Sequence, residues 1–215
     1  MNKRVPFVDG QIYHVFNKSI AGFRIFVEPA NAIRFIKALF YYNSLHISKS
    51  LSVFLRDKAD NYIIDLFKIK NTAIVKFLAY CIMPDHYHIL LKMLKNDTFP
   101  KYINDIENSY TRYFNIKHNR KGPLWQSPFK SVLIKTDSQL LHVTRYIHLN
   151  PTTDGLVEKP EDWSLSSYKN YLKDSFILDN LKEISVRNPY FYKKFVEDRK
   201  DYQKRLKKIK KLLLE

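Results

Sequence analysis

The sequence is poor in the residues on which several common classes of protein depend. It has four glycines in 215 residues and no GxGxxG or GxxxxGK(S/T) run, so a glycine-built loop that cradles phosphates is not expected. A single cysteine, Cys81, excludes a disulfide framework and a zinc site built from cysteines. No window approaches the roughly 20 apolar residues of a membrane span, so we expect a cytoplasmic protein with no membrane partner.

Positive charge is what the chain has in excess. Thirty-seven Lys and Arg against 21 Asp and Glu give a formal charge of +16. An excess of that size on a 25.7 kDa chain predicts a polyanionic partner. Fifteen Tyr and fifteen Phe accompany the charge. Many of these rings must form the core, but aromatic faces among cations also suit unpaired bases, so composition favours a globular protein that binds nucleic acid.

Periodicity predicts an alternation of strands and helices. In chain order we expect a strand at 11–17, a helix at 28–42, a strand at 72–83, a strand at 86–93, a helix at 99–116, a strand at 130–134 and a helix from 136 or 137 to 150. The first six elements match a ferredoxin-like split βαβ layout. This is an α+β fold, in which an antiparallel sheet has helices on one face.

The predicted helices have recognisable faces and ends. The first has apolar positions at helical spacing, namely Ile33, Ile36, Phe40 and Tyr41. Thr136 or Asp137 would cap the last helix, and Pro151 is expected to end it at Asn150, because α geometry is disfavoured just before proline. Residues 43–71 are interpreted as an insertion that forms a loop with a short helix or strand.

We expect a core domain over residues 1–152 and a C-terminal extension over 153–215. Residues 187–215 contain eleven Lys and Arg against four Asp and Glu. This stretch predicts a basic amphipathic helix that docks on the domain with its lysines outward. A charged face that is merely solvated is the alternative. The apolar stripe of the helix would consist of Tyr202, Leu206, Ile209 and Leu213.

His86 and His88 are the main candidates for chemistry. On a strand they share one face, and two imidazoles can bind a divalent ion with a third protein oxygen and open positions for substrate. Taken alone, a His-x-His pair is more often structural. Three features favour a metal site here: the pair follows a Pro84–Asp85 turn, the bulky Tyr87 would face the core, and a second polar pair lies on a predicted helix.

Tyr146 and Asn150 are that second pair, one turn apart on a helix face. Asn150 can supply a neutral amide ligand or cap the helix end, and both roles are compatible. A nearby cation would stabilise the phenolate of Tyr146, which could then attack a phosphodiester, form a covalent phosphotyrosine and release a 3′-hydroxyl. Packing against the sheet is the alternative. His142, one turn earlier, is the reserve candidate for a ligand or base.

Several cations and one aromatic side chain are candidate contacts to nucleic acid, although surface solvation explains the cations equally well. These candidates are Lys130, Arg145, Arg120, Lys121, Trp125, Lys207 and Lys208.

Three runs in this order resemble the HUH single-tyrosine transposase superfamily, most closely the REP-associated tyrosine transposases of bacteria. They are YCIMPDHYHILLK at 80–92, GPLWQSPFK at 122–130 and RYIHLNP at 145–151. The runs at 11–19 and 163–168 resemble that family's first strand and the segment after its catalytic helix. The likeness covers about residues 5–170. Asp85 stands where the family often has asparagine, and Tyr87 is bulkier than the usual aliphatic residue.

The resemblance implies a metal-dependent endonuclease and strand transferase that cuts single-stranded DNA near hairpins through a 5′-phosphotyrosine intermediate. Mg²⁺ or Mn²⁺ would be bound by His86, His88 and Asn150, with Tyr146 as the nucleophile. The protein would act on hairpin-forming DNA as a monomer or homodimer, in association with a bacterial nucleoid. A non-catalytic binder of structured single-stranded DNA or RNA on the same fold is the alternative. A third possibility is a metallohydrolase that uses an activated water.

Overall fold

The computed structural model describes residues 6–57, 72–126, 128–173, 183–186 and 188–203. Two short 3₁₀ turns lie among its elements, at Ile20–Gly22 and Pro160–Asp162. Over the described residues the strands and helices are, in order, β1 (Ile12–Lys18), α1 (Pro29–Tyr41), α2 (Leu51–Asp57), β2 (Val75–Ile82), β3 (His86–Met93), α3 (Phe99–Lys117), β4 (Lys130–Ile134), α4 (Asp137–Thr153), α5 (Tyr168–Tyr171) and α6 (Pro189–Glu197).

The strands form one sheet in the order β2-β3-β1-β4, which is the order of the ferredoxin-like split βαβ fold. Backbone pairing shows that β1 and β3 are antiparallel. The amide of Met93 donates to the carbonyl of Gln11 at 2.9 Å, and the amide of Ser19 donates to the carbonyl of Asp85 at 2.8 Å. The predicted α+β class with an antiparallel sheet is therefore confirmed.

Helices α1 and α3 pack against each other and bury their apolar faces. The Tyr102 hydroxyl of α3 donates to the carbonyl of Leu39 in α1 at 2.7 Å. The buried stripe of α1 is Ala32, Phe35, Ala38 and Leu39. Ile33, one of the apolar positions at helical spacing, is 47% exposed. The ring of Phe35 is buried instead and packs on Tyr110 and Trp125.

The chain groups into two compact units. The first contains β1, α1, α2 and α3 with most of β4, and includes residues 84–86 and 91–93 of the β3 region. The second contains Phe77–Met83, Tyr87–Leu90 and the described residues from Ile134 onward. The expected boundary between residues 152 and 153 is not tested by this grouping and stays a prediction.

Helix α4 continues past the point at which the sequence was expected to end it. It runs to Thr153 with Pro151 inside its last turn, so the prediction that Pro151 ends it at Asn150 was wrong. Proline removes its own amide donor, but its carbonyl and that of the preceding residue still accept. The amide of Asp154 donates to the carbonyl of Asn150 and that of Leu156 to the carbonyl of Pro151, both at 2.9 Å. Burial of Pro151 and its neighbours outweighs the local preference.

The tryptophan-serine segment at 163–168 runs beside β2 in the second unit. The amide of Ile82 donates to the carbonyl of Leu165 at 2.9 Å, and the amide of Ser167 donates to the carbonyl of Tyr80 at 3.0 Å. The indole nitrogen of Trp163 donates to the carbonyl of Ile82 at 3.0 Å. These bonds use backbone groups on the outer edge of β2, so this segment extends the second unit along the sheet edge.

Two predicted features lie partly outside the described residues. The interpretation of 43–71 as an insertion is tested only up to Asp57, where α2 supplies the short helix that was one of the two options. Of the apolar stripe predicted for the basic tail helix, only Tyr202 is described, and it is 54% exposed. Leu206, Ile209 and Leu213 lie outside the described residues. Within the described ranges no helix is long and apolar enough to cross a membrane.

Candidate active site

The N-terminal cap of α4 sets where the helix begins and therefore which of its residues share a face. The hydroxyl of Thr136 accepts a hydrogen bond from the amide of Gln139 at 3.1 Å, so Thr136 rather than Asp137 is the cap. The helix then places Tyr146 and Asn150 one turn apart on one face. His148, two residues after Tyr146, lies on a different face and is fully buried.

Tyr146 lies beside His88. Their ring centroids are 5.5 Å apart and the rings meet edge to face at 80°. His88 is 6% exposed, whereas Tyr146 keeps 41% of its surface exposed. Helix α4 and strand β3 therefore bring the predicted nucleophile against one predicted metal ligand and leave the tyrosine accessible from solvent.

Asn150 contacts the same tyrosine. Its side-chain nitrogen donates to the backbone carbonyl of Tyr146 at 3.3 Å, and it is 5% exposed. Burial raises the pKa of the Tyr146 phenol above its usual value, and a hydrogen bond from the Asn150 side chain lowers it by a smaller amount. The second unit thus places an imidazole and an amide each in contact with the same tyrosine.

His86 lies two positions before His88 in β3. Tyr87 between them is fully buried, as predicted, so strand alternation places both histidines on the face opposite to the Tyr87 ring. In the first unit the Nδ1 atom of His86 lies 2.5 Å from Oδ1 of Asp85. Burial raises the pKa of the Asp85 carboxyl, but hydrogen bonds from His86 and Lys18 lower it by more, so its pKa lies below the usual value.

Each of these side chains carries a donor atom of a kind that divalent ions accept. Imidazole nitrogens and a neutral amide oxygen are ordinary ligands of first-row divalent ions, and Mg²⁺ accepts oxygen ligands together with water. An ionised carboxylate can only accept hydrogen bonds, so the contact with Asp85 favours the tautomer of His86 in which Nδ1 carries the proton and Nε2 keeps the lone pair. A histidine that binds a metal commonly has this arrangement on its second nitrogen.

His142, the reserve ligand or base, is directed toward α6. Its Nδ1 lies 2.8 Å from the guanidinium of Arg145, and its ring centroid lies 6.0 Å from that of Phe195. The Arg145 guanidinium carbon stands 4.1 Å from the Phe195 ring centroid, and Arg145 donates to the Phe195 carbonyl at 3.4 Å. Arg145 therefore links α4 to α6, and its role as a phosphate contact remains a prediction.

The other candidate contacts to nucleic acid have different surroundings. Lys130 and Lys121 are exposed. Arg120 donates to the side chain of Asn115 and to the carbonyl of Pro123, at 2.9 and 2.6 Å, so it also holds the loop after α3. Trp125 is half-buried, and its ring packs against Phe26, Phe35 and Tyr110. Lys207 and Lys208 lie outside the described residues.

His148 is a buried residue whose importance the sequence did not reveal. Its Nδ1 lies 2.5 Å from the hydroxyl of Tyr192 in α6, and its Nε2 lies 2.7 Å from that of Ser167. Burial lowers the pKa of His148 to about 3, so the ring is neutral at physiological pH. It fixes the position of α4 within the second unit. The signal was its place in the RYIHLNP run, which spacing alone does not interpret.

Two further residues near β3 were not singled out from the sequence, Asp85 as a partner of His86 and Lys18 as a partner of Asp85. The only feature of the sequence that could have indicated these contacts was the acidic residue directly before the His-x-His pair. A third, His14 in β1, is 9% exposed, and burial lowers its pKa to about 4.

Comparison with known proteins finds transposases. The profile of the family described as "Transposase IS200 like" matches residues 39–150. A Haemophilus influenzae protein described as a REP-associated tyrosine transposase is 28% identical over 140 residues, which cover 57% of this chain and 80% of that protein. The solved structure of a REP-associated tyrosine transposase bound to a REP hairpin has the same fold. Its TM-score is 0.57 at 16% identity, and the match covers 80% of this chain and 84% of that one.

Proposed function

Because this chain belongs to the family of IS200-like transposases, we propose that it cuts and joins single-stranded DNA near hairpins through a tyrosine nucleophile. The observation that carries this proposal is the group formed by Tyr146, His88 and Asn150. The hairpin substrate is supported by the solved relative of the same fold, which is bound to a REP hairpin.

Tyr146 is the nucleophile in this proposal. Its phenol releases its proton to solvent and the oxygen bonds to the phosphorus of a phosphodiester, the bond from phosphorus to the 3′-oxygen breaks, and the departing oxygen takes up a proton from solvent to become a 3′-hydroxyl. The 5′ end remains on the enzyme as a phosphotyrosine ester. Attack of a new 3′-hydroxyl on that ester rejoins the strand and returns the phenol, so each strand transfer conserves one phosphodiester.

His86, His88 and Asn150 would hold Mg²⁺ or Mn²⁺ through two imidazole nitrogens and one amide oxygen. The ion supplies positive charge, which stabilises the phenolate and the phosphate oxygens. The protein's own contribution is orientation: β3 fixes the spacing of the two imidazoles, and α4 sets Tyr146 against His88.

We assign the catalytic core to residues 1–152 and the extension to residues 153–215. Action as a monomer and action as a homodimer are both compatible with this proposal.

Exposed cations would bind the DNA backbone. Lys130 at the start of β4 and Lys121 in the preceding loop are exposed, and Lys207 and Lys208 belong to the basic tail. Such contacts supply affinity that does not depend on base sequence. We assign Trp125 mainly to the core, with only its accessible edge available to a base.

A single gel experiment tests the reaction class. A hairpin-containing oligonucleotide, labelled on the 5′ side and separately on the 3′ side of the expected break, is incubated with protein and Mn²⁺ or with EDTA, and run with and without protease. We expect Mn²⁺-dependent cleavage in which one labelled fragment is retarded until protease is added. Tyr146→Phe should abolish the retarded band, and Tyr190→Phe, at a tyrosine that is 71% exposed on α6, should keep it.

The other outcomes each contradict the proposal. Cleavage without a protease-sensitive fragment would indicate a metallohydrolase that uses water. Salt-sensitive binding without any cleavage would indicate a non-catalytic DNA-binding protein. A retarded band that persists in Tyr146→Phe would show that another residue is the nucleophile.

A further inference from the structure

Asp85 divides its carboxylate between two partners. One oxygen, Oδ1, lies 2.5 Å from Nδ1 of His86, and the other, Oδ2, lies 3.1 Å from the ammonium of Lys18. Its backbone is held as well, because its carbonyl accepts from the amide of Ser19 at 2.8 Å. The side chains of Asp85 and His86 are 22% and 20% exposed, so this is a partly desolvated contact at the start of β3.

The geometry has a definite chemical consequence for His86. A neutral imidazole has one N–H and one basic nitrogen, and isolated imidazole side chains exchange between the two tautomers. The carboxylate accepts the Nδ1 proton, so it selects the tautomer in which Nε2 carries the lone pair. It also restricts rotation of the ring, because rotation would break a short hydrogen bond.

Neither simple alternative explains the whole arrangement. A surface ion pair between Lys18 and Asp85 contributes little by itself, since the Lys18 side chain is 48% exposed. If Asp85 were itself a metal ligand, it would have to bind the ion through an oxygen that already pairs with His86 or with Lys18. The pairing of one oxygen with each partner instead suits a residue that acts through its neighbour.

We propose that Asp85 is a positioning residue, which holds His86 in the tautomer and orientation needed for Nε2 to bind the metal ion, and that Lys18 restrains Asp85. This inference rests on the proposed function, because the metal ion is what His86 would bind. Asp85 would not touch the substrate or the ion. It would raise metal affinity by removing the need to select a tautomer and a ring orientation on binding.

The first test needs neither metal nor DNA. Nitrogen-15 spectra of histidine-labelled, metal-free protein at pH 8 report which ring nitrogen of each neutral histidine is protonated. We expect the Nδ1–H form for His86 in the wild type. Asp85→Ala should shift His86 toward the Nε2–H form, whereas Asp85→Asn should keep Nδ1–H, because an amide oxygen can still accept that proton. An unchanged His86 spectrum in Asp85→Ala would overturn the inference.

The second test measures Mn²⁺ affinity by electron paramagnetic resonance. Asp85→Ala should bind Mn²⁺ about 10- to 100-fold more weakly than wild type, a loss typical of removing a residue that orients a ligand. Asp85→Asn should recover most of the affinity, and Lys18→Met should lose less than Asp85→Ala. The matched control is Asp105→Ala, which removes a partly exposed aspartate that pairs with Lys101. It should leave Mn²⁺ affinity unchanged.

The results separate the two proposals. Equal losses of Mn²⁺ affinity in Asp85→Asn and Asp85→Ala would contradict positioning and indicate direct ligation or a requirement for charge. Wild-type affinity in Asp85→Ala would also contradict it. If wild-type protein bound no Mn²⁺ and formed no adduct with DNA, the proposed function would fail, while the tautomer measurement would still decide whether Asp85 positions the His86 ring.

Discussion

The phenol of Tyr146 lies in surroundings that favour its protonated form. Burial raises its pKa, and the hydrogen bond from Asn150 offsets this only in part. Without further positive charge the tyrosine would be a weak nucleophile at neutral pH. This is the physical reason for proposing a metal ion beside the tyrosine, and it gives Asn150 a contact with the proposed nucleophile in addition to its proposed role as a ligand.

The site residues divide into those that a local rule could predict and those that it could not. Alternation along β3 was enough to place His86 and His88 on one face, and helical spacing was enough for Tyr146 and Asn150. The contact of Arg145 with α6 could not be predicted from sequence. It involves Phe195, a residue 50 positions away that only the folded chain brings into contact with Arg145.

Buried histidines make stability depend on pH. The unfolded chain binds a proton at His14 below about pH 6.5, whereas burial lowers the pKa of His14 to about 4 in the folded protein. The unfolded state therefore binds more protons between these values, and the free energy of unfolding falls as pH falls from about 6.5 toward 4. Because of this one group, the free energy of unfolding at pH 5 should be about 2 kcal/mol lower than at pH 7.5.

Urea unfolding at pH 7.5 and pH 5 measures this dependence. His14→Leu should lose less stability than wild type between the two pH values, whatever its stability at pH 7.5. His46→Ala, which changes an exposed histidine, should show the wild-type dependence. An equal loss in His14→Leu and wild type would show that His14 is not held neutral by the fold.

At the scale of elements, α4 is held in the second unit by a polar contact in an apolar setting. His148 bridges Tyr192 of α6 and Ser167, and the rings of Tyr168, Tyr171 and Tyr192 surround it. Truncation of the His148 side chain would leave a cavity, and the buried hydroxyls of Tyr192 and Ser167 would lose their contact with the imidazole. We expect His148→Ala to lower the free energy of unfolding by about 2–4 kcal/mol in urea titrations.

His142→Ala is the matched control for stability, since it truncates the same residue type on an exposed face of the same helix. It should cost less than about 1 kcal/mol. Similar losses in the two variants would mean that the buried contacts of His148 do not hold α4 in place.

The order and type of the helices and strands were largely predictable from the sequence, whereas some helix ends and buried helix faces were not. Residues 86–93 and 130–134 were predicted as strands with the bounds that the structure has, because apolar runs bounded by turn residues specify them. The end of α4 was misplaced since a local rule about proline ignored the burial of Pro151. Helical spacing alone did not single out Phe35 of α1, whose buried ring packs on Tyr110 and Trp125.

At the scale of the whole molecule, the charge of +16 predicts how DNA binding responds to salt. Affinity for single strands falls with a slope of about −0.7 per neutralised phosphate in a log–log plot. Contact with about six phosphates would weaken binding by roughly two to three orders of magnitude between 50 and 200 mM salt. Fluorescence anisotropy with a labelled hairpin oligonucleotide measures this directly.

The basic tail should account for part of that slope. The double variant Lys207→Ala, Lys208→Ala should bind more weakly at low salt and show a shallower slope than wild type. Lys101→Ala removes one exposed lysine that is paired with Asp105 and serves as the control. Binding that hardly changes with salt, or a tail variant with the wild-type slope, would contradict the role of these lysines in contacting phosphate.

The central claim is that Tyr146 becomes covalently attached to DNA. Its most direct test is mass spectrometry of the protein after reaction with a hairpin substrate and Mn²⁺, followed by digestion with nuclease and protease. We predict that the peptide containing Tyr146 carries the mass of a 5′-linked nucleotide, and that Tyr146→Phe yields no modified peptide. A nucleotide attached to any other residue, or cleaved DNA with every peptide unmodified, would contradict the claim.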